Sequence, residues 1–314
     1  MEEEKKIKIL KSILGNFYCV NDELLFYCPY CKHQKRKMSV NIRKNAYKCW
    51  VCDTNGRDIR RVVRRFGSYN QKKKWDELTN RVDLNKFPSL FESLASEESS
   101  EEQRTPLPKE FHSLANKAVP ISALPAIKYL KSRGITKEDI LYWKIGYCDS
   151  GEYQKRVIVP SFDTAGYVNY FVARSYIEQY KRYKNPQASR NIIFNELYLD
   201  WDQDLVIVEG AFDAIVAGNS VPLLGSTLRE GSKLFQEIVS HDTPIFLALD
   251  QDASYKEEKI IRLLLKYDIE LYKIDTSNFQ DVGEMTKKQF KEQKENATFI
   301  THGDYLLRKA LNNV

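Results

Sequence analysis

Leu205-Val-Ile-Val-Glu-Gly-Ala-Phe-Asp213 is a short apolar run that stops on a carboxylate and breaks at once into a glycine. Four apolar residues rich in β-branching, bounded by a turn signal, predict a buried strand feeding a helix. The same pattern returns in Ile245-Phe-Leu-Ala-Leu-Asp-Gln-Asp252, and runs at Val221–Leu224 and Glu270–Ile274 complete four buried strands. Strands alternating with helix-length segments predict a mostly parallel α/β sheet over 204–300. Ligands of such sheets collect at the carboxyl ends of the strands. Glu209 and Asp250 each follow an apolar strand, and Asp252, two residues on, is placed to point the same way as Asp250. Carboxylates gathered at one edge repel one another unless a cation neutralises them, and hard oxygen ligands suit Mg²⁺ or Mn²⁺. Asp281, after the fourth run, is a further candidate ligand. Asp213, on the first turn of the helix after Glu209, has two readings: a metal ligand, or a charge complementing the helix dipole.

Upstream lie Cys28-Pro-Tyr-Cys31 and Cys49-Trp-Val-Cys52, two C-x2-C knuckles separated by 17 residues. That spacing brings Cys28, Cys31, Cys49 and Cys52 onto one tetrahedral zinc. Leu24–Tyr27 and Asn45–Lys48 lead into the two knuckles as strands. Nothing in the sequence suggests an oxidising compartment, which disfavours disulfides; Cys19 and Cys148 are expected as ordinary buried or half-buried thiols. His33 is poorly spaced to complete the site. The formal net charge of +6 over 314 residues conceals an asymmetry. Residues 32–74 hold 15 Lys and Arg against two Asp, and the basic runs are interleaved with Tyr47, Trp50, Phe66 and Tyr69, with Tyr30 just ahead of them. Such a mixture grips phosphates while stacking on unpaired bases. The charged N-terminus and the lack of a membrane-length apolar run predict a cytoplasmic protein with no membrane partner.

Five segments follow: a zinc-ribbon domain over 1–88; an acidic flexible linker over 89–108, rich in Ser and Glu; a second globular region over 109–203; the parallel sheet over 204–300; and a helical tail over 301–314. Residues 5–14 have helical apolar spacing with Gly15 as stop, and a basic helix is expected from about Asp58 to Phe66. Ala126–Arg133 reads as a helix closed by Gly134, with Thr136 capping the next. Arg156–Pro160 and Tyr167–Arg174 read as strands joined by the turn Asp163-Thr-Ala-Gly166. Gly225-Ser-Thr-Leu-Arg-Glu-Gly-Ser-Lys233 has the wrong spacing for a nucleotide-binding phosphate loop.

Glu209-Gly-Ala-Phe-Asp213 followed by Asp250-Gln-Asp252 resembles the signature of the Toprim fold, shared by primases, topoisomerases and some nucleases. The flanking stretches Ile135–Ile140, Ile145–Tyr147, Arg156–Pro160, Gly166–Val168, Ala173-Arg174 and Tyr183-Lys-Asn-Pro186 look like successive motifs of the DnaG-type primase catalytic core. Together with the zinc ribbon, the resemblance covers nearly the whole chain apart from the linker and the last turns. It departs from the bacterial pattern at Cys31, where a histidine is usual; a four-cysteine site is more like the bacteriophage primases.

The resemblance implies an α+β multidomain protein, a zinc ribbon plus a Toprim-containing primase core. The implied activity is synthesis of short RNA primers from ribonucleoside triphosphates on single-stranded DNA. It implies Glu209, Asp250 and Asp252 as catalytic, with Asp281 and Asp213 joining them around Mg²⁺ or Mn²⁺, Glu209 being either general base or metal organiser. Arg156, Arg174, Arg182 and Lys184 are expected to hold template or nucleotide phosphates. The chain ends soon after the Toprim-like region, so a replicative helicase is expected in trans. Two rivals share parts of the pattern. A recombination-mediator protein combines four cysteines with a Toprim fold without being an enzyme, but leaves the Tyr183–Pro186 region unexplained. A Toprim nuclease shares the carboxylates yet has no need of a zinc ribbon.

Overall fold

The computed structural model describes residues 2–79, 104–178, 181–250, 253–267, 269–279, 281–301, 303 and 305. The chain divides into two compact units, Met1–Phe87 and Pro88–Val314. Each has its own core.

In the first unit, helix α1 (Glu2–Leu14) opens on three glutamates and has Lys11 in its last turn, both favourable to the helix dipole. Gly15, at φ +84°, ends it. An antiparallel sheet follows in the order β1 (Tyr18–Val20), β2 (Glu23–Phe26), β3 (Met38–Asn41), β4 (Ala46–Cys49), β5 (Asn55–Gly56). Asn21 and Asp22 both adopt positive φ between paired Val20 and Glu23, the two-residue turn that suits strand twist. Alternation then sorts the side chains. Leu24, Phe26, Met38, Val40 and Tyr47 face the core, where they meet Leu10, Val62, Val63 and Trp75 from α1, α2 (Arg60–Phe66) and α3 (Tyr69–Leu78). Glu23, Leu25, Ser39, Ala46 and Lys48 fall on the opposite face.

Two expectations change here. Of the aromatic residues assigned to a basic surface, Tyr47 is core, and Tyr30 stacks on Tyr47 and meets Phe66 edge-on at 4.9 Å. These rings seal α2 onto the sheet, while Tyr18, Tyr27 and Trp50 are exposed aromatics among the described residues. Cys19 is exposed rather than buried because it lies on edge strand β1, whereas Cys148 is buried.

The second unit contains two sheets. One is antiparallel, in the order β6 (His112–Ser113), β7 (Gly146–Cys148), β8 (Arg156–Phe162), β9 (Val168–Ser175). The β8–β9 turn is shaped by Asp163, whose carboxylate accepts from the Ala165 and Tyr167 amides, and by Gly166 at φ +83°. Helices α4 (Leu124–Ser132) and α5 (Lys137–Tyr142) lie between β6 and β7. Thr136 and Asp139 form a reciprocal capping box at the start of α5.

The other sheet runs β11 (Ser220–Pro222), β10 (Leu205–Val208), β12 (Ile245–Ala248), β13 (Leu271–Lys273), β14 (Thr298–Phe299); the first four strands are parallel and the last antiparallel. Connecting helices α6 (Ala211–Ala217), α7 (Lys233–His241) and α8 (Ser254–Lys266) cover it, so Leu205, Val206, Ile207 and Val208 are fully buried. Helix α9 (Lys287–Glu295) precedes β14. A continuous core joins the two sheets from Val157, Val159, Tyr170 and Val172 to β10 and β12.

The expected linker falls mostly outside the described residues, but 104–108 belong to the second unit. Thr105 is buried, its amide donating to the Val168 carbonyl at 2.8 Å and its hydroxyl to the Asn169 carbonyl. The expected tail over 301–314 lies outside the described residues apart from 301, 303 and 305. Among the described residues no helix is long and apolar enough to cross a membrane.

Candidate zinc cluster and acidic edge

The four knuckle cysteines converge, all four sulfur atoms lying within 4.8 Å of one another. Cys28 Sγ is 3.8 Å from Cys52 Sγ, and Cys31 Sγ is 3.8 Å from Cys49 Sγ. Sulfurs placed tetrahedrally about 2.3 Å from a zinc ion are about 3.8 Å apart, so the spacing fits. The Val51 amide points at Cys49 Sγ from 3.5 Å, and the Thr54 hydroxyl approaches Cys52 Sγ at 3.2 Å. Both contacts suit thiolates. His33 stays outside the cluster, its Nδ1 accepting from the Lys35 amide.

In the second unit the chain leaves β10, forms β11 on one side, and crosses back to build β12 on the other. The carboxyl ends of β10 and β12 therefore flank a topological switch point. Because Val208 pairs with Ala248, Glu209 and Asp250 emerge together at that edge. Asp252 lies outside the described residues.

Glu209 is tied to a residue the sequence reading did not single out. Lys256 Nζ, from the first turn of α8, lies 2.5 Å from Glu209 Oε2, with only 20% and 19% of the two side chains exposed. Glu209 Oε1 is buried with no hydrogen-bond partner among the described residues. A buried carboxylate oxygen with an unused lone pair suits a hard cation, so this chemistry fits Mg²⁺ or Mn²⁺.

Asp213 combines its two expected readings. It accepts from the Gly210 amide as the N-terminal partner of α6 and from the Gly283 amide at 2.9 Å, linking β10's end to the segment after β13. Burial pushes its pKa up to about 7, and the negative charges of Asp281 and Asp250 push in the same direction. Asp213 thus sits among acidic neighbours. Asp281 is also near a cation: Arg133, at the end of α4, lies 3.6 Å from it and 3.7 Å from Glu284. Gly283 is crowded here, since a Cβ would stand 2.9 Å from the Asp213 carboxylate and 3.0 Å from Arg133. Lys256 and Arg133 have no motif to mark them; only their places on the first turn of α8 and at the end of α4 put them in reach.

The basic candidates divide. Arg156 has a structural task. It is 7% exposed and donates to the Gln154 and Lys181 carbonyls, fixing the loop beside β9 because its strand position turns the guanidinium inward. Arg174, at the end of β9, stacks over Phe212 of α6 at 4.9 Å and donates to the Tyr183 hydroxyl, which places it beside the acidic edge. The 182–185 segment runs along β9: the Ser175 amide donates to the Arg182 carbonyl, the Lys184 amide to the Ala173 carbonyl, and the Ala173 amide to the Asn185 side chain. Arg182 is exposed there, and Lys184 reaches Glu152 at 3.2 Å.

No family model and no curated protein matches the sequence. Solved structures do match. The DnaG primase catalytic domain bound to ssDNA aligns with a TM-score of 0.53 at 16% identity, over 74% of this chain and 84% of that one. A DNA primase domain from Pseudomonas aeruginosa gives 0.53 at 18%, over 65% and 80%. The E. coli primase catalytic core gives 0.51 at 18%, over 62% and 79%.

The fold is that of DnaG-type primase cores.

Proposed function

We propose that the protein is a DNA primase, a nucleotidyltransferase that joins ribonucleoside triphosphates into short RNA primers on single-stranded DNA. One observation carries the reading: Glu209, Asp213 and Asp250 meet at the β10–β12 switch point of a primase-like fold, beside the cation-bearing end of β9. Such an edge handles phosphoryl groups, where charge rather than covalent chemistry limits the rate.

In the reaction a 3′-hydroxyl oxygen forms a bond to the α-phosphorus of the incoming nucleotide, and the bond to the pyrophosphate oxygen breaks. A divalent cation at Glu209, Asp213, Asp250 and Asp252 would neutralise charge on the transferring phosphate and the leaving pyrophosphate. Glu209 supplies a carboxylate held by Lys256 on one oxygen and open on the other. Asp213 couples the edge to Gly283, and Asp281 extends it toward Arg133. Arg174, Arg182 and Lys184 offer positive charge where template or triphosphate approaches. The first unit, with exposed Tyr18, Tyr27 and Trp50 and the Lys and Arg concentrated over 32–74, reads the template. Ribonucleoside triphosphates as substrates, a cytoplasmic setting and a replicative helicase in trans belong to the same proposal.

The test is incubation of the full chain with single-stranded DNA, labelled ribonucleotides and Mg²⁺. Short RNA products that vanish in Asp250→Ala are the expected result. Cleavage of the DNA would instead reveal a nuclease, and binding without either product a non-enzymatic DNA-binding protein.

A further inference from the structure

The outward face of the first unit's sheet contains a built acceptor. Glu23, on β2, takes one hydrogen bond on each carboxylate oxygen: from the Ser39 hydroxyl on Oε2, and from Asn41 Nδ2 at 2.8 Å on Oε1. The Asn41 side chain is itself oriented, because its Oδ1 accepts from the Lys44 amide at 2.9 Å. These donors hold the Glu23 carboxyl below the usual carboxylate range. It is therefore an ionised group locked in plane, and a carboxylate with about four lone-pair sites keeps acceptor capacity on both oxygens.

This carboxylate lines a hollow of about 420 Å³ whose wall includes Lys44, Lys48 and Trp50. Lys48 Nζ sits over the Trp50 indole at 4.7 Å, yet Trp50 remains 65% exposed. An exposed indole at the rim of a hollow is a stacking platform for an unpaired base, and lysines alongside suit the phosphates on either side. Glu23 is the one acid lining this otherwise basic hollow, so its presence works against phosphate binding and calls for a different explanation.

We infer that the hollow is a guanine-reading pocket, with Trp50 stacking on the base and Glu23 accepting from its Watson–Crick edge. The chemistry selects guanine. Its N1–H and N2–H are two adjacent, parallel donors that match the two oxygens of a carboxylate. Adenine and cytosine each pair one amine with a ring acceptor, and thymine flanks its single N–H with two carbonyls, so each turns lone pairs toward Glu23. This inference rests on the template-reading role proposed above and gives it a specificity residue. The guanine comes either from the template strand or from a free guanosine nucleotide used for initiation.

The experiment measures binding by the full, zinc-loaded chain to labelled oligothymidines carrying one central guanine, hypoxanthine, adenine or cytosine. Guanine is expected to bind about 5- to 100-fold tighter than the others. Hypoxanthine, which lacks only the N2 amine, loses most of that advantage. Glu23→Gln, checked for unchanged zinc content, removes the preference but keeps the shared, salt-sensitive affinity; Trp50→Ala weakens all four oligonucleotides alike. Competition with GTP against ATP separates the sources: selective displacement by GTP assigns the pocket to the free nucleotide, and none assigns it to the template. A Glu23→Gln protein that keeps the guanine preference, a preference for another base, or equal binding of all bases and both nucleotides by the unaltered chain overturns the inference. The hypoxanthine comparison uses the unaltered protein, so it stands even where a variant fails to fold. Because the readout is binding, a chain that makes no primers yet prefers guanine would sink the proposed activity and leave this pocket intact.

Discussion

Glu209 and Lys256 are the pair at which residue chemistry is most exposed to test. Lys256 holds one oxygen of a half-buried carboxylate whose other, buried oxygen has no donor among the described residues, so its place in the proposed site is to position Glu209 rather than to touch substrate. Lys256→Ala is expected to lower primer synthesis by about 10- to 100-fold and to shift its Mg²⁺ dependence to higher concentration, the usual cost of losing a supporting group around a metal site. Lys256→Arg should restore part of both, and an unchanged Mg²⁺ dependence in the alanine variant would show that the pair is only structural. Glu209→Gln and Asp250→Ala should abolish synthesis while leaving template affinity within about twofold, since neither lies on the basic surface; normal turnover in either moves the active site elsewhere. The carboxylates could be found in the sequence because each ends an apolar run, a local signal. Lys256, Arg133 and Glu23 could not. Their roles depend on which segments meet in space, and Glu23 in particular is one acid beside Asp22, ahead of the basic stretch, until strand pairing sets it between Ser39 and Asn41.

Elements show the same division between local and tertiary information. The Thr136 cap, the Gly134 stop and the Asp163 turn were all readable, because capping and turn chemistry use residues only a few positions apart. What the capping box also does was not: Asp139 is buried and pairs with Lys287 of α9, which ties α5 to the far end of the unit. Burial alone would raise the Asp139 pKa, but the bonds from Lys287 and Thr136 prevail and lower it from 3.8. A depressed folded pKa means the unfolded chain binds the proton more readily, so this stabilisation is present above about pH 4 and fades as pH falls through the folded value. Asp139→Asn should cost about 1–3 kcal/mol at pH 7, and its gap from the unaltered chain should close in acid unfolding below about pH 4. A gap independent of pH would mean the charge contributes nothing. The antiparallel edge strand β14 escaped the sequence reading because two residues carry no period. The aromatic stretch of the ribbon was misjudged for a related reason: composition marks which rings are present, and only the sheet's alternation decides that Tyr47 turns inward while Trp50 turns out.

At the scale of the molecule, two cores that share no residues permit two separable tasks. A fragment beginning at Arg104 should fold and extend a preformed primer but lose selective initiation. One beginning at residue 109 should be measurably less stable in denaturant, because it lacks the Thr105 bonds to β9. Initiation by the Arg104 fragment at the same sites and rate as the whole chain would refute that division. The sulfur cluster adds a consequence of another kind. Unit 1 is small, and its sheet is closed by four thiol side chains whose spacing is that of metal ligands. Its folding free energy is therefore linked to the surrounding solution, and each tenfold change in free zinc should move it by about 1.4 kcal/mol. Unit 2 should ignore the same change. Heating the chain at graded zinc activities is then expected to show one transition that walks along the temperature axis and one that stays still, so that under the proposed function zinc supply would set where synthesis begins without touching the capacity to synthesise.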